Sequence, residues 1–521
     1  MIYESSNMRV LFIFYEEPDY PVSFPLGIGI LSAQLKKYGY TVKGIYLQND
    51  LDSLGIMEEI VLNVKRFRPY LIAFSCTSPA FYGVKKIAAR LRKEIHIPTI
   101  CGGPHPTLYP EESAAEEGID YVCIGEGEKT LIDFIKAMET GKDCSQIPGI
   151  AFFDENKHFV KNKLYPLSQH LDALPWIDYD AFGKQFIEKL TSDGWLRHIT
   201  SRGCPYNCSY CHTPMFRKVY SEGIGIPEGN LCFVRLRSVD SLIDELLAMV
   251  QKYNLKVINF MDDLFCLKKD RILEFCRQFR ERLPKHVGYS IQTHLHHLDK
   301  DLVSALYDSR CMRVVVGVES GAQRILQLFN RNTTPEKMNR KLSLLVSTCF
   351  PLGTWSLNIL GNPTETVEEM LQTLSLNAKA QVERVKFNIM APYPKSKIYD
   401  YCVEKKLFHG EAGTQKFKDR NITKLKFPDR EQAFLEKFLD IGHWYMNRHA
   451  SLNLEEYYVS SIDEVEQIGP GEWWKMRDRY LKEDKILSDY LRKKNILHYT
   501  FMLRGKVHSN VIGLLGDNAN H

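Results

Sequence analysis

The chain of 521 residues has 68 Lys and Arg against 64 Asp and Glu, so its formal net charge is only +4. Its composition, 44% hydrophobic and 25% charged, is that of a folded multi-domain protein and excludes fibrous and low-complexity classes. The basic residues form no long run, so we expect no nucleic-acid partner. No apolar run reaches about 18 residues and the opening MIYESSNMRV lacks a signal-peptide pattern, so we expect no transmembrane segment and a cytoplasmic location.

The first 150 residues alternate short β-branched runs with segments of helical period. The runs RVLFIFY, YTVKGIYL, YLIAFSC, IPTICGG and DYVCIGEGE are typical of strands, and intervening segments such as GVKKIAARLRKEI are typical of helices. This alternation predicts a doubly wound α/β domain, a Rossmann-like parallel sheet with helices on both faces, over residues 1–150.

Small residues follow three of these predicted strands. The sequence has FSCTSPA at the third strand, CGGPHPT at the fourth and GEGE at the fifth. In doubly wound sheets ligands bind outside the carboxyl ends of the strands, and glycine lets the backbone approach a bulky ligand closely. We therefore expect a ligand site at this edge of the sheet.

The rest of the chain divides into three predicted segments. Residues 151–190, with DALPWIDYDAF, have no clear period and are predicted to be a connector. Residues 191–424 contain six strand candidates, each followed by a helix or a loop, which predicts a partial (β/α)6 barrel with its chemistry at the carboxyl ends of the strands. Residues 425–521 are rich in helical and aromatic segments and are predicted to be a helical C-terminal region.

Three cysteines lie close together in TSRGCPYNCSYC, directly after the first barrel strand: Cys204, Cys208 and Cys211. A zinc site usually needs four nitrogen or sulfur ligands, and no second pair follows at a suitable distance. A disulfide would be out of place in the cytoplasm. Three thiolates spaced C-x3-C-x2-C can ligate three irons of a 4Fe-4S cluster and leave the fourth iron open.

These motifs together carry a family resemblance. CPYNCSYC, followed by INFMDD, GVESG and NILGNPTET after later strands, resembles the radical S-adenosylmethionine (radical SAM) superfamily. The N-terminal FPLGIGILSAQLKKYGY, SCT, CGGPHPTLYPEE and IGEGE are similar to the cobalamin-binding domain attached to one class of these enzymes. The resemblance covers residues 9 to 420 and implies three cofactors: a 4Fe-4S cluster, S-adenosylmethionine and cobalamin.

The resemblance also implies roles for individual residues, although it assigns no catalytic side chain. Cys204, Cys208 and Cys211 would hold the cluster, Asp262 would accept the methionine ammonium, and Glu319 would bond a ribose hydroxyl. The full set implied for S-adenosylmethionine is Tyr210, Asp262, Glu319, Asn358 and Gly361. The set implied for cobalamin is Ser75, Thr77, Gly102, Gly103, Gly125 and Glu126. The string D-x-H-x-x-G, which supplies a cobalt histidine in other cobalamin proteins, does not occur.

The reaction implied is methyl transfer to an unactivated carbon or phosphorus centre. A deoxyadenosyl radical would remove hydrogen from the substrate, and methylcobalamin would give its methyl group to the substrate radical. Two alternatives stay open: a cobalamin-dependent radical SAM cyclase or rearranging enzyme, like the anaerobic tetrapyrrole cyclases, and a cobalamin sensor or carrier with an inactive barrel. The expected partners are a small-molecule substrate, apolar or planar in character, and an electron donor such as flavodoxin or ferredoxin.

Overall fold

The structure, a computed structural model, describes residues 8–18, 20–410, 423–450, 453–504 and 507–512. It divides into two compact units. The first contains Met1–Tyr206 and His212–Leu255, and the second contains Asn207–Cys211 and Lys256–His521. This division groups the predicted connector with the N-terminal sheet, and the finer boundaries at residues 150, 190 and 424 stay a prediction.

The first unit is built on a sheet of seven strands. Strands β1 to β7 are Arg9–Tyr15, Thr41–Leu47, Leu71–Ser75, Thr99–Gly102, Tyr121–Cys123, Ile150–Phe153 and Phe159–Lys161. Helices α1 to α6 are Leu26–Lys37, Ile56–Phe67, Phe81–Arg92, Pro104–Leu108, Pro110–Ala114 and Gly127–Glu139. The strand order is β2-β1-β3-β4-β5-β6-β7, and all neighbours from β2 to β5 pair in parallel, whereas β6 and β7 are antiparallel.

Strand β1 shows why this sheet has helices on both faces. Leu11 and Ile13 lie in an apolar cluster with residues of α2 and α3, whereas Val10 and Phe12 lie in a second cluster with residues of α1 and α6. Alternate residues of a strand point to opposite faces, so a strand that is apolar at every position must be covered twice. The predicted doubly wound fold is confirmed.

The first unit continues through the predicted connector to short elements around the cysteine motif. Helices α7, α8 and α9 are Lys184–Leu190, Thr213–Ile224 and Val239–Tyr253, and strands β8, β9 and β10 are Trp195–His198, Ser201–Arg202 and Arg235–Leu236. Strands β9 and β10 form a two-stranded antiparallel ladder in which Arg202 lies opposite Arg235. The cysteine motif therefore begins directly after a paired strand.

The second unit contains a parallel sheet in chain order. Strands β11 to β15 are Val257–Phe260, Gly288–Thr293, Cys311–Glu319, Thr354–Leu360 and Arg384–Ile389, and each pairs in parallel with the next. Helices α10 to α15 are Lys269–Arg282, Lys300–Asp308, Gln323–Leu328, Pro335–Ser347, Val367–Lys379 and Lys397–Glu404. These are the second to sixth predicted barrel strands, and their carboxyl ends meet at one edge of the sheet.

The C-terminal region is helical as predicted, but it also adds a hairpin. Helices α16, α17 and α18 are Asp429–His449, Glu455–Glu466 and Trp473–Lys493, and strands β16 and β17 are Tyr499–Arg504 and Val507–Ile512. Strand β17 pairs antiparallel with β15, so the hairpin extends the second sheet. The segments YTFMLR and VHSNVI contain aromatic and β-branched residues, which are typical of strands and could have indicated this hairpin. Within the described part of the chain, no helix has the length and apolar content needed to cross a membrane.

The turn between β14 and α14 contains a buried carboxyl group. Oε2 of Glu365 accepts hydrogen bonds from the backbone N–H and the side-chain amide of Asn362, each at 3.0 Å, whereas its Oε1 has no partner among the described residues. Because ionisation is costly without solvent, burial raises the pKa of Glu365 to about 8. The folded protein therefore holds this carboxyl group protonated at pH 7.

The first prediction concerns two glycines that both have positive φ. A Cβ on Gly118 would lie 2.4 Å from the Ala88 carbonyl oxygen, whereas a Cβ on Gly141 would have no atom within 4 Å. We expect Gly118→Ala to cost about 3 kcal/mol, since it adds a backbone clash to the strain that Gly141→Ala alone would cause, about 1 kcal/mol. Thermal unfolding of the two variants measures this difference, and equal midpoints would contradict the packing described for Gly118.

The second prediction concerns pH and Glu365. An unfolded glutamate ionises near its ordinary pKa of 4.5, whereas the folded pKa is about 8, so folding takes up a proton between these values. The contribution of Glu365 to the stability of the fold is therefore lost as the pH rises from about 4.5 to about 8. Glu365→Gln cannot ionise, and we expect its melting temperature to fall less over this range than that of the wild type. The exposed Glu404→Gln is the control, and a Glu365→Gln profile parallel to the wild type would show that the group does not titrate in this range.

Candidate functional site

The cysteine motif follows Gly203, which no other residue could replace without a displacement of the neighbouring backbone. Gly203 has φ +82, and a Cβ there would lie 2.6 Å from the Phe233 carbonyl oxygen. Cys204, Cys208 and Cys211 are each partly exposed. Seven other cysteines of the chain are buried and behave as small apolar residues. Cys204, Cys208 and Cys211 therefore form a group of partly exposed cysteines that lie close together in the sequence.

Partners outside the motif hold its backbone on both sides. In the first unit, Nη1 of Arg217 donates to the carbonyl oxygens of Cys204 and Pro205, each at 3.4 Å. In the second unit, the Ser209 N–H donates to the Phe329 carbonyl at 3.1 Å, and the Ser209 hydroxyl donates to the Leu328 carbonyl at 2.7 Å. The backbone at Cys204 and Pro205 is thus held by contacts within the first unit, and the backbone at Ser209 by contacts within the second.

The motif supplies the right donors for an iron–sulfur cluster without being arranged as a metal site in advance. Among the described residues, no three His, Cys, Asp or Glu side chains already surround a common ion position. Burial raises the pKa of the Cys208 thiol, while the Arg331 guanidinium acts in the opposite direction. Iron binding replaces thiol protons, so a thiol near a buried cation fits the chemistry of a cluster ligand.

A buried arginine joins the motif to the end of β13. The Arg331 guanidinium donates from Nη1 to the Tyr210 hydroxyl at 3.0 Å and lies 3.5 Å from Oε1 of Glu319. Its Nη2 donates to the Gly317 carbonyl at 2.7 Å, and its Nε has no partner among the described residues. Sequence reasoning missed Arg331 because it lies twelve residues after Glu319, beyond a helix, in no recognisable motif.

Glu319 ends β13 in an unusual backbone conformation. Its φ is +66, and the ladder between β13 and β14 shifts register at this point. A Cβ on Gly317 would lie 2.4 Å from Oε1 of Glu319, so the glycine provides the room in which this carboxylate folds back. Burial raises the pKa of Glu319, opposed by the nearby Arg331 guanidinium.

Tyr210 was expected to pack on the adenine of S-adenosylmethionine. The structure places its ring against Phe329, with 4.6 Å between the ring centroids, at the border of an apolar cluster of the second unit. Its hydroxyl is bonded to Arg331. The described contacts of Tyr210 thus tie the motif to its support, and adenine packing stays a prediction.

The other residues expected at S-adenosylmethionine divide into two groups. Asp262 is buried just after β11, and Gly361 follows β14 with φ +68, so both lie at carboxyl ends of strands, as Glu319 does. Asn358 is different, because its amide donates to Ser356 Oγ at 3.0 Å and accepts from Asn377 Nδ2 at 2.8 Å. Nδ2 of Asn358 also donates to the Lys386 carbonyl at 3.3 Å, so the buried network uses both its hydrogens, and a contact between Asn358 and S-adenosylmethionine stays a prediction.

Histidines at the end of β12 complete the surroundings of Arg331. The side chain of His294 accepts from the His296 N–H and caps a short 3-10 turn, Leu295–His297. Burial and the Arg331 guanidinium lower the pKa of His294 to about 3, so its imidazole is neutral. The positive charge at this end of the second sheet is therefore on Arg331.

In the first unit, the residues expected at cobalamin lie at the ends of β3 and β4. The backbones of Cys76 and Gly102 are bonded directly, N–H to carbonyl, at 3.1 Å, and Gly103 has φ +98 with no room for a Cβ beside Cys76. Ser75 is half-buried and Thr77 is exposed. A Cβ on Gly102 would meet protein atoms only from 3.5 Å outward, so the missing side chain leaves space that a ligand can fill.

The last expected cobalamin residues, Gly125 and Glu126, follow β5. Gly125 has φ +82, and a Cβ there would lie 2.5 Å from the Tyr220 hydroxyl. The Glu126 carboxylate is bound by the guanidiniums of Arg202 and Arg235. Its side chain is therefore engaged in ion pairs within the protein, and a contact between Glu126 and cobalamin stays a prediction from the sequence.

Comparisons with known families divide the chain in the same order. Residues 20–135 match the B12 binding domain, and residues 198–376 match the Radical SAM superfamily. The first range contains every residue expected at cobalamin. The second contains the three motif cysteines and every residue expected at S-adenosylmethionine.

Curated relatives are similar over most of the chain. An uncharacterized methyltransferase of Pyrococcus horikoshii is 28% identical over 74% of this chain and 79% of its own length. The cytidylyl-2-hydroxyethylphosphonate methyltransferase of Streptomyces wedmorensis is 25% identical over 73% of this chain and 78% of its own. The anaerobic magnesium-protoporphyrin IX monomethyl ester cyclase of Rubrivivax gelatinosus is 24% identical over 76% of this chain and 70% of its own.

A solved structure shares the fold. The radical S-adenosylmethionine methyltransferase TsrM of Kitasatospora setae superposes with a TM-score of 0.62 and 18% identity, over 77% of this chain and 76% of its own. The two family domains, the order of the motifs and this fold agree with one another. The chain is therefore a cobalamin-binding member of the radical SAM enzymes, and its cofactors are cobalamin, a 4Fe-4S cluster and S-adenosylmethionine.

Proposed function

We propose that this enzyme is a methyltransferase that acts on an unactivated carbon or phosphorus centre of a small molecule. The observation that carries the proposal is the presence, in one chain, of a cobalamin-binding domain and a radical SAM domain with an accessible three-cysteine loop. Two of the relatives are named methyltransferases, and they match more than 70% of the chain.

The cluster is assigned to Cys204, Cys208 and Cys211, whose loop is fixed by Arg217 and Ser209. When bound, the cluster supplies an electron that cleaves S-adenosylmethionine, and the cobalamin supplies the methyl group. The protein's part is to hold these groups, to neutralise charge and to limit the access of water. The electron must come from a reduced protein such as flavodoxin or ferredoxin, since no side chain can supply it.

Opposite charges on the protein match the zwitterionic end of S-adenosylmethionine. We assign the ammonium to Asp262 and a ribose hydroxyl to Glu319, because both are buried carboxyl groups at strand ends. We assign the carboxylate to Arg331, whose buried guanidinium keeps one N–H unpaired among the described residues. Gly361, at the carboxyl end of β14, remains the candidate for a backbone contact with the nucleoside.

The cobalamin tail is assigned to the ends of β3, β4 and β5. The hydroxyls of Ser75 and Thr77 can bond it, Gly102 and Gly103 let it lie against the sheet, and Gly125 lies at the end of β5 along the same edge of the sheet. The sequence lacks the string that brings a histidine to cobalt in other cobalamin proteins. We therefore propose that no histidine of that motif binds the metal.

The second candidate function is cyclisation or rearrangement with the same cofactors. The observation that favours it is the similarity to the anaerobic cyclase of Rubrivivax gelatinosus over 76% of the chain. In that reaction the methyl group of S-adenosylmethionine would not leave with the product. An apolar or planar substrate fits either function, and the cytoplasmic location stays a prediction from the sequence.

The third prediction separates these two functions without knowledge of the substrate. The anaerobically reconstituted enzyme is incubated with a reductant, cobalamin and S-adenosylmethionine that carries a deuterated methyl group. A methyltransferase should move the labelled methyl group to the cobalamin fraction and form one S-adenosylhomocysteine for each methyl moved. Mass spectrometry of both products measures this stoichiometry. Deoxyadenosine formation without any methyl transfer would refute the methyltransferase proposal and favour the cyclase.

The fourth prediction tests the assignment of Arg331. Arg331→Met removes the buried positive charge while keeping much of the side-chain volume, so we expect S-adenosylmethionine to bind about tenfold or more weakly. The binding is followed by the change that S-adenosylmethionine causes in the electron paramagnetic resonance spectrum of the reduced cluster. Arg324→Met, which breaks an exposed ion pair with Glu369 on nearby helices, is the matched control. Equal affinity in the two variants would rule out the assignment.

A further inference from the structure

The first unit contains a network of four charged side chains between the loop that follows β5 and the strand before the cysteine motif, of which Arg235 is buried and Glu126, Glu128 and Arg202 are partly buried. The Glu126 carboxylate lies 3.0 Å from Nη1 of Arg202 and 2.6 Å from Nη2 of Arg235. A second oxygen of Glu126 accepts from Nη1 of Arg235 at 2.8 Å, and Arg202 also binds Glu128. Each arginine thus holds the loop that follows β5 by a charged pair.

On both sides, the residues of this network lie within two residues of a candidate cofactor contact. Glu126 directly follows Gly125 of the expected cobalamin site in the chain. The Glu126 N–H donates a hydrogen bond to the Tyr220 hydroxyl. Arg202 is the last residue of β9, two residues before Cys204, and it lies opposite Arg235 of β10. Any displacement of the loop after β5 therefore acts on the strand from which the first motif cysteine follows.

Burial makes the network stiff. Although burial alone would raise it, the pKa of Glu126 is lowered by the guanidiniums of Arg202 and Arg235, and the pKa of Arg202 is raised by Glu128 and Glu126. Glu126 and Arg202 are therefore both held in their charged forms in the folded protein. Charged pairs that are shielded from water are short and directional, and removal of one partner leaves the other buried and uncompensated.

We propose that Arg202 and Arg235 are positioning residues that couple the loop that follows β5 to Cys204 through Glu126. The inference rests on the proposed function, because it requires cobalamin to bind beside Gly125. When bound cobalamin restricts the motion of this loop, the ion pairs also restrict the motion of β9, the strand before Cys204. Because coupling between two sites is reciprocal, restricting β9 also increases the affinity for cobalamin. The arginines act through Glu126 and need not touch either cofactor.

A similar ion pair in the same unit provides the control. Arg92 binds Asp120 at 2.6 Å, at the amino end of β5, whereas Glu126 follows the carboxyl end of that strand. Both pairs join an arginine to a carboxylate in the same unit. Only the Glu126 pairs reach the strand that precedes the cysteines, so Arg92→Met controls for the loss of an ion pair alone.

The test compares the wild type with Glu126→Gln, Arg202→Lys and Arg92→Met in the full chain. Hydroxocobalamin binding is measured by absorbance, and hydrogen–deuterium exchange of the peptide over residues 199–212 is measured with and without saturating hydroxocobalamin. We expect hydroxocobalamin to slow this exchange in the wild type and in Arg92→Met. We expect Glu126→Gln to bind about tenfold more weakly and to show no slowing at saturation.

Arg202→Lys keeps the charge but has one donor group in place of the planar fork, so it should retain a smaller slowing. It also carries the test if Glu126→Gln does not fold. A wild type that binds hydroxocobalamin without any change in residues 199–212 would overturn the coupling and leave the proposed function intact. Full slowing in Glu126→Gln or in Arg202→Lys would also overturn it. A wild type that binds no hydroxocobalamin would overturn the proposed function and the coupling together.

Discussion

The proposed cluster site depends on a backbone constraint at residues 203–211. Three thiols can share one cluster only if the loop that carries them has a defined course, and a loop of this length has no secondary structure to impose one. Here Gly203 begins the loop in a conformation that excludes a side chain, Arg217 binds two of its carbonyls, and Ser209 is bonded through both its N–H and its hydroxyl. Hydrogen bonds from Arg217 and Ser209 thus stabilise the conformation of this loop.

Charge is arranged around that loop with few groups. Arg331 is the buried cation that meets Tyr210 and Glu319, and the nearby His294 is kept neutral by burial. In the proposed assignment Arg331 meets the carboxylate of S-adenosylmethionine and Asp262 meets its ammonium, so each ionic group of the ligand faces a group that can carry the opposite charge. In the first unit, by contrast, the charged groups of Glu126, Arg202 and Arg235 pair with one another.

Much of the fold could be predicted from the sequence, because strands buried on both faces leave a strong local pattern. The parallel strands of both units occur where the β-branched runs predicted them, and Gly103 and Gly125 occupy turns that require positive φ. The hairpin β16–β17 was not predicted, because the preceding helical and aromatic text set the expectation for the whole C-terminal region. Its pairing with β15 depends on an open sheet edge, which local sequence does not reveal.

The candidate site could be predicted only in part. The cysteine spacing is a local signal, so the sequence predicts Cys204, Cys208 and Cys211 as cluster ligands, whereas the contacts of Arg331 are made across a helix and leave no local signal. Asn358 and Glu126 were predicted as ligand contacts, but tertiary hydrogen bonds use their side chains within the protein. Motifs thus predicted which strand ends matter, and the packing decided which side chains remain available there.

The most direct measurement of the central claim is the cofactor content of the anaerobically reconstituted chain, with the triple variant Cys204→Ala, Cys208→Ala, Cys211→Ala beside the wild type. Iron, sulfide and cobalt are counted, and the reduced cluster is recorded by electron paramagnetic resonance. The wild type should contain about four irons and one cobalt per chain, and the variant should keep cobalt but lose the cluster signal and deoxyadenosine release. A wild type that takes up iron but no cobalt, or a variant that keeps its cluster, would contradict the account.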